Sequence, residues 1–435
     1  MLAPLLLLAA SAAVDGEAAL RHASKLAALG PHAWGSPRTS FAAEYVASQF
    51  RAAGLGEVRL EPFESHGIRG ANVMGVLRAS GPRFVLLAAH HDTAPESPGA
   101  YDDGGGVGVL LEVARVLARA GGLPRTIVFA SFDGEEAWST GKTTTAGSRA
   151  YLRSLGDRSR DLVAVVDVEM SGFAKGTPVL HTWSHPSPLS PGTSAVAPGW
   201  LVEAALRGSR EAGSPLTVGD PLLSWIYQPA VRAFRVSLYG DDLPFLEAGL
   251  PAVAVSDSSF TAFYPWYHQP ADAADKLDAA ALARVGTAVV GAVRALSRAE
   301  PGPAHDGDWF AAGGTVVTWK GLLAAAVLSL LPGLLAARSE GGVLLAARLA
   351  HALVFGVLIW RHPIPALWVF LLPNMIPRWR PGLARRWPVT LGAHLPLLCL
   401  LGLAAAAWRR GMVSGLLVGP LDVALAGLGL SLLLV

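Results

Sequence analysis

The chain has 435 residues, more than one ordinary domain holds, and its charge is unevenly spread. Ten of its 35 Lys and Arg but only two of its 33 acidic residues, Glu340 and Asp422, lie from Val317 onward, which leaves 25 basic against 31 acidic and a formal net charge of −6 in residues 1–316. The excess arginine sits between apolar C-terminal segments, where it reads as membrane-flanking charge and excludes a nucleic-acid surface. Cys399 is the single cysteine, so an intrachain disulfide and a Cys-based zinc site are excluded, and any metal must be held by His, Asp and Glu.

In chain order, Met1 to Ala13 is apolar and ends in small residues, which predicts a signal-like segment or short anchor over 1–14, although no positive charge precedes it. Residues 15–300 read as one soluble α/β domain. Phe41, Tyr45, Val46 and Phe50 recur at helical spacing, and Gly54 supplies the usual cap, so Ser36 to Gly54 predicts a helix. Phe84 to Ala89, Thr126 to Phe132 and Leu162 to Val168 are short β-rich runs, with a helix over Val107 to Ala120 between the first two. Strand, loop, helix and strand of this length predict right-handed crossovers in a mostly parallel central sheet flanked by helices.

Pro301 to Gly314 is rich in Gly and Pro and predicts a linker over 301–316. Beyond it, Val317 to Ala337, Val343 to Trp360, Ile364 to Ile376, Val389 to Trp408 and Met412 to Val435 predict an all-α transmembrane region of four or five helices, with the lipid bilayer as partner. Arg378, Arg380, Arg385 and Arg386 form the densest basic loop, which the positive-inside rule puts in the cytoplasm. Counting back three spans leaves residues 15–300 extracytoplasmic; Arg361, Arg409 and Arg410 then face outward, and a third segment that does not cross would reverse the orientation.

The chemistry gathers where the predicted strands end, the usual ligand edge of an open α/β sheet. His90 and Asp92 follow the first strand, Glu135 and Glu136 the second, and Glu169 the third. In an extended chain residues 90 and 92 share a side, so the Asp92 carboxylate can orient the His90 imidazole towards a metal while His91 points away. Asp102 lies in the Gly-rich loop GAYDDGGG, where a carboxylate can bridge two cations. The rival reading of that loop as a phosphate cradle lacks a following Lys and carries two repelling carboxylates. Glu135 and Glu136 are adjacent and cannot both be simple ligands of one ion, so one binds metal while the other serves as general base.

The set AAHHD, GAYDD, FDGEEAWSTGKTTTAGSRAY, VVDVEM, YGDDLPFLEAGLPAV and YHQPADAADKLD resembles the M28 family of zinc metallopeptidases in order and spacing, from about His32 to Leu282. The resemblance implies a zinc-peptidase fold, two zinc ions as cofactor and a peptide substrate. It implies His90, Asp102, Glu136, Glu169 and His268 as metal ligands, Asp102 as the bridging carboxylate, Glu135 as general base and Asp92 as the partner that orients His90. It implies peptide-bond hydrolysis, most often as an aminopeptidase. A carboxypeptidase, a mono-zinc glutaminyl cyclase on the same fold, or an inactive membrane protein are the alternatives.

Several positions stay open at this level. Asp103 is either the bridge or a helix N-cap. Asp167 shares a strand face with Glu169 and rivals it as ligand. Glu169 stands where many aminopeptidases of the family have Asp, and Gly240-Asp241-Asp242 stands where Ser-Asp-His is common. Tyr239, Tyr264 and Tyr267 are the candidates to stabilise an oxyanion.

Overall fold

A computed structural model describes residues 13–136, 145–184, 195–218, 240–258, 264–303, 309–312 and 315–318. Residues 1–12 of the signal-like segment, Tyr239 and the five apolar C-terminal stretches, apart from residues 317 and 318, lie outside the described residues. The chain divides into two compact units, and nearly all of the described residues belong to the first, residues 1–224, 237–306 and 311–316.

The first unit is built on an eight-stranded sheet. Its strands are β1 (Gly56–Ser65), β2 (Ile68–Leu77), β3 (Phe84–His90), β4 (Thr126–Phe132), β5 (Leu162–Val168), β6 (Val179–His181), β7 (Thr217–Val218) and β8 (Ala252–Ser256). They lie side by side in the order β1-β2-β4-β3-β5-β8-β6-β7. The central strands β4, β3, β5 and β8 run parallel. Each is buried along its whole length, which explains why these runs are continuously apolar instead of alternating. The flanks differ from the expected parallel arrangement. β1 and β2 form a hairpin antiparallel to each other and to β4, and β6 is antiparallel to β8, so the sheet is mixed. The hairpin turns through His66 and Gly67, at φ 53° and 73°, the left-handed pair that matches strand twist. β1 is an edge strand carrying Glu57, Arg59, Glu61 and Glu64, and such half-exposed polar strands leave little hydrophobic pattern in the sequence.

The helices are α1 (Gly16–Ala27), α2 (Pro37–Ala52), α3 (Gly106–Ala120), α4 (Ala146–Leu155), α5 (Gly199–Glu211), α6 (Leu243–Glu247) and α7 (Ala279–Arg298). α2 stops beside Gly54 at φ 84°, as its cap residue predicts, and α3 begins one residue before the predicted start. α1, α3 and α7 pack on one another, and α3 and α7 cover β3 and β5. The other face buries Met74, Leu86, Val128 and Phe132 beneath Tyr151 and Leu155 of α4 and Phe245 and Leu246 of α6.

Among the described residues, α7 is the one helix long and apolar enough to cross a membrane. It is a core helix: Asp278 caps it by accepting from the Ala281 N–H, and Val285, Val289, Val293 and Leu296 are buried. Residues 309–312 and 315–318 pair as a two-stranded ribbon. The β-branched run Thr315-Val-Val-Thr favours a strand there, so residues 317 and 318, read from hydropathy as the start of a membrane helix, are extended.

Candidate metal centre

Strands β3, β4 and β5 end together and deliver their following residues to one edge. His90 is the last residue of β3, Glu135 and Glu136 follow β4, and Glu169 follows β5. His90, Asp92, Asp102, Glu135, Glu136 and Glu169 are all buried, and His268 arrives on the turn after Tyr264 with its backbone at φ 58°. A bulky residue in the left-handed region is uncommon, and such residues cluster at functional sites.

Asp102 sits between the two histidines. Its Oδ1 is 3.2 Å from His90 Nε2 and its Oδ2 is 3.0 Å from His268 Nε2. On the His90 side Glu169 Oε2 lies 3.6 Å from the same Nε2, and on the His268 side Glu136 Oε1 lies 2.7 Å from the ring. Two sets of donors have potential ligand atoms within 4.8 Å of one another, Asp102, Glu136 and His268 in one and His90, Asp103 and Glu169 in the other, and Asp102 Oδ1 also reaches His90 of the second set at 3.2 Å.

The choice between Asp102 and Asp103 follows from what each carboxylate already holds. Asp103 Oδ1 accepts from the Gly106 N–H and the Met170 N–H, both at 3.0 Å, and its Oδ2 accepts from the His90 N–H at 3.3 Å. It caps the start of α3 and ties that loop to the ends of β3 and β5, which is the N-cap reading extended. Asp102 turns one oxygen to each histidine. The peptide between the two aspartates is cis. Glycine is required beside them by close approach: a Cβ at Gly105 would lie 1.9 Å from the Ser171 carbonyl oxygen.

Asp92 differs in detail from its expected role. His90 Nδ1 meets the Asp92 backbone carbonyl at 3.0 Å, while the carboxylate stands 3.5 Å away. The carboxylate oxygens instead accept from the Glu135 and Glu136 N–H groups, each at 3.1 Å, and so fix the two glutamates. His91 points away as expected and meets Ser131 Oγ at 3.0 Å; burial pulls its pKa down to about 4, which keeps it neutral. Asp167, the rival ligand, accepts from the Asp242 N–H at 3.2 Å and joins neither donor set.

The electrostatics are those of a site built for cations. Burial, reinforced by the Asp102 charge, pushes Glu136 up to about 7, and burial pushes Glu169 up to about 8. Burial also raises Glu135 well above the ordinary carboxylate range. For His268 burial acts downward, but Asp102 and Glu136 outweigh it and push the imidazole up to about 9. Burying this many like charges is costly unless they are paired, protonated or bound to metal. Nitrogen and carboxylate oxygen donors without thiolate suit zinc in an open, catalytic centre, so the residues fit that ion.

Two further carboxylates, missed in the sequence, hold the loop that carries Asp102. Asp272 accepts from the Tyr101 N–H at 2.9 Å and the Tyr264 hydroxyl at 2.8 Å, with the Asp102 N–H at 3.3 Å. Asp257 accepts from the Tyr101 hydroxyl at 2.8 Å and from the Gly172 and Phe173 N–H groups at 2.8 and 2.9 Å. Because its hydroxyl donates to Asp272 and its ring stacks on Tyr101 at 4.0 Å, Tyr264 is a structural residue and not an oxyanion donor. Tyr267 stacks on His268 with ring centroids 3.7 Å apart. The signal for Asp257 was one acidic residue closing an apolar strand; Asp272 gave no signal of its role beyond its place in the YHQPADAADKLD motif.

The model of Peptidase family M28 matches residues 72–293. Among curated proteins, Aminopeptidase YwaD of Bacillus subtilis (strain 168) is 26% identical over 241 residues, covering 53% of this chain and 46% of the relative, so the match spans about half of that protein. Among solved structures, a zinc aminopeptidase from Bacillus subtilis superposes with a TM-score of 0.52 at 16% identity, over 65% of this chain and 95% of that one. Glutaminyl cyclase of Porphyromonas gingivalis superposes with a TM-score of 0.51 at 22% identity, over 64% and 98%. At these identities the two superpositions speak for the fold alone. The family model spans just over half of the chain and contains the ends of β3, β4 and β5 together with His268, and on that ground the chain belongs to peptidase family M28.

Proposed function

We propose that the protein is a dizinc aminopeptidase, with His90, Asp102 and Glu169 holding one ion, His268, Glu136 and Asp102 the other, and Glu135 acting as general base. The observation that carries the reading is the position of Asp102, with one carboxylate oxygen 3.2 Å from His90 and the other 3.0 Å from His268. When bound there, the zinc ions supply polarisation of the scissile carbonyl and a lowered pKa for the attacking water. Glu135 is the buried acid beside them whose carboxylate is not engaged by His90 or His268 in either donor set. It takes the proton of the attacking water at its carboxylate and returns it to the leaving amine. Asp92 keeps Glu135 and Glu136 in their separate roles by fixing both amides. The names of the relatives favour removal of N-terminal residues, and the acidic surroundings suit a free ammonium on the substrate.

The apolar stretches after Val317 support anchoring of this domain to a membrane, and the arginine-rich loop at 378–386 supports an extracytoplasmic peptidase. Alkaline extraction of membranes, followed by protease protection of residues 15–300 in sealed vesicles, tests both.

The enzymatic reading is tested by zinc content and peptide hydrolysis on the full-length protein beside Glu135→Gln, with substrates bearing free and blocked amino termini. Two zincs per chain, cleavage of free substrates only, and a fall in kcat of about 10²- to 10⁴-fold in the variant with zinc retained are expected. One zinc with cyclisation of N-terminal glutamine would favour the cyclase reading; no metal and no turnover would sink the enzyme.

A further inference from the structure

Gly240 has no side chain for a reason that its backbone does not supply. It is absent from the glycines with positive φ, so an L-residue could adopt its conformation. The space beside it is filled instead. A Cβ on Gly240 would lie 2.7 Å from Glu169 Oε1, 3.2 Å from Glu169 Cδ and 2.8 Å from Asp167 Oδ2. The backbone at 240 has little room to retreat, because its carbonyl accepts from the Leu243 N–H at 3.1 Å and the neighbouring Asp242 N–H donates to Asp167 at 3.2 Å.

The two carboxylates differ in how they can give way. Asp167 can rotate with the loss of its bond to Asp242. Glu169 is the longer side chain, its backbone N–H is held by the Val255 carbonyl at 2.8 Å, and its other oxygen faces His90 at 3.6 Å. A Cβ at 240 would force this carboxylate to shift, and a shift of Oε1 moves Oε2 from its place beside His90.

We infer that Gly240 is a positioning residue for Glu169: the bare α-carbon leaves the room in which the Glu169 carboxylate turns Oε2 towards His90. This rests on the proposal that Glu169 holds metal. The two departures noted in the sequence, glutamate at 169 and glycine at 240, are then one steric unit, since an aspartate at 169 would withdraw its carboxylate by one methylene and free the part of the space at 240 that Glu169 fills, leaving Asp167 to rotate.

The test is zinc stoichiometry and chelator-competition affinity on the full-length protein in four forms: wild type, Gly240→Ser, Glu169→Asp and the double variant. Gly240→Ser is expected to hold one zinc tightly and to weaken the second by at least about tenfold, the range found when a residue that orients a ligand is lost. The double variant is expected to recover most of that loss, and this rescue is what a merely structural defect would not produce. If Gly240→Ser does not fold, Glu169→Ala in the same background should restore folding and raise the melting temperature, because the obstructing carboxylate is gone. Two zincs at wild-type affinity in Gly240→Ser would overturn the inference, as would failure of every substitution at 169 to rescue it. A wild type that takes up no zinc would instead sink the metal centre itself, and the inference with it.

Discussion

Removing the carboxylate of Asp272 should damage both the fold and the metal centre, and its size can be worked from its partners. The two short bonds, from the Tyr101 N–H at 2.9 Å and the Tyr264 hydroxyl at 2.8 Å, are made by buried donors to a buried acid. Hydrogen bonds to a charged partner contribute about 1.5–3 kcal/mol each, and donors left without a partner lose a comparable amount. The contacts at 3.3 Å to the Asp102 N–H and 3.4 Å to the Ser97 hydroxyl are long and add little stability, but the first of them steadies Asp102. Asp272→Ala is therefore expected to cost about 4 kcal/mol, roughly 8–15 °C in melting temperature for a domain of this size. Zinc affinity should fall by about 10- to 100-fold, since the backbone of Asp102 loses its anchor. Asp272→Asn can keep an oxygen at the Oδ1 position, which accepts both short bonds, and should lose much less stability. The assays are thermal unfolding by circular dichroism on zinc-free protein and chelator competition on the zinc-loaded form. A melting temperature within about 2 °C of wild type for Asp272→Ala would refute the assignment of Asp272 as the clamp of this loop.

Three further outcomes are expected. Zinc binding should release protons and tighten as pH rises towards about 9, because His268 is held protonated up to about 9 and Glu169 up to about 8 in the metal-free site. Calorimetry in buffers of different ionisation enthalpy reads this directly, and an affinity independent of pH would contradict it. Burial holds the Asp257 carboxyl at about 7, above its unfolded value of 3.8, so the folded state binds that proton more tightly than the unfolded chain. Its contribution to the stability of the zinc-free protein is present below about pH 4 and lost as pH rises to about 7, and denaturant titrations across that window should show a flatter slope in Asp257→Asn. Glu135→Gln should unfold at the wild-type temperature within about 3 °C, since it removes a charge without altering shape; a collapse of the fold would mean that Glu135 is a structural acid.

The parallel centre of the sheet was legible in the sequence because strands covered on both faces must be continuously apolar, and β3, β4 and β5 follow the runs Phe84 to Ala89, Thr126 to Phe132 and Leu162 to Val168 closely. The candidate site was legible for a related reason: carboxylates and histidines that interrupt apolar runs where strands end have few structural uses, and the ordered motifs carried the resemblance to M28. The hairpin β1–β2 was not legible, because an exposed edge strand obeys no hydrophobic pattern. Which of Asp102 and Asp103 faces the histidines could not be read from the residues themselves, although the resemblance pointed to Asp102. The two share composition and neighbourhood, and only the arrival of the Met170, Gly106 and His90 N–H groups at Asp103 separates them. Asp257, Asp272 and Gly240 belong to the same class. Their roles depend on groups brought from distant parts of the chain, such as Tyr101 against Asp272, and a linear sequence holds residue types and local periodicity but not those distances.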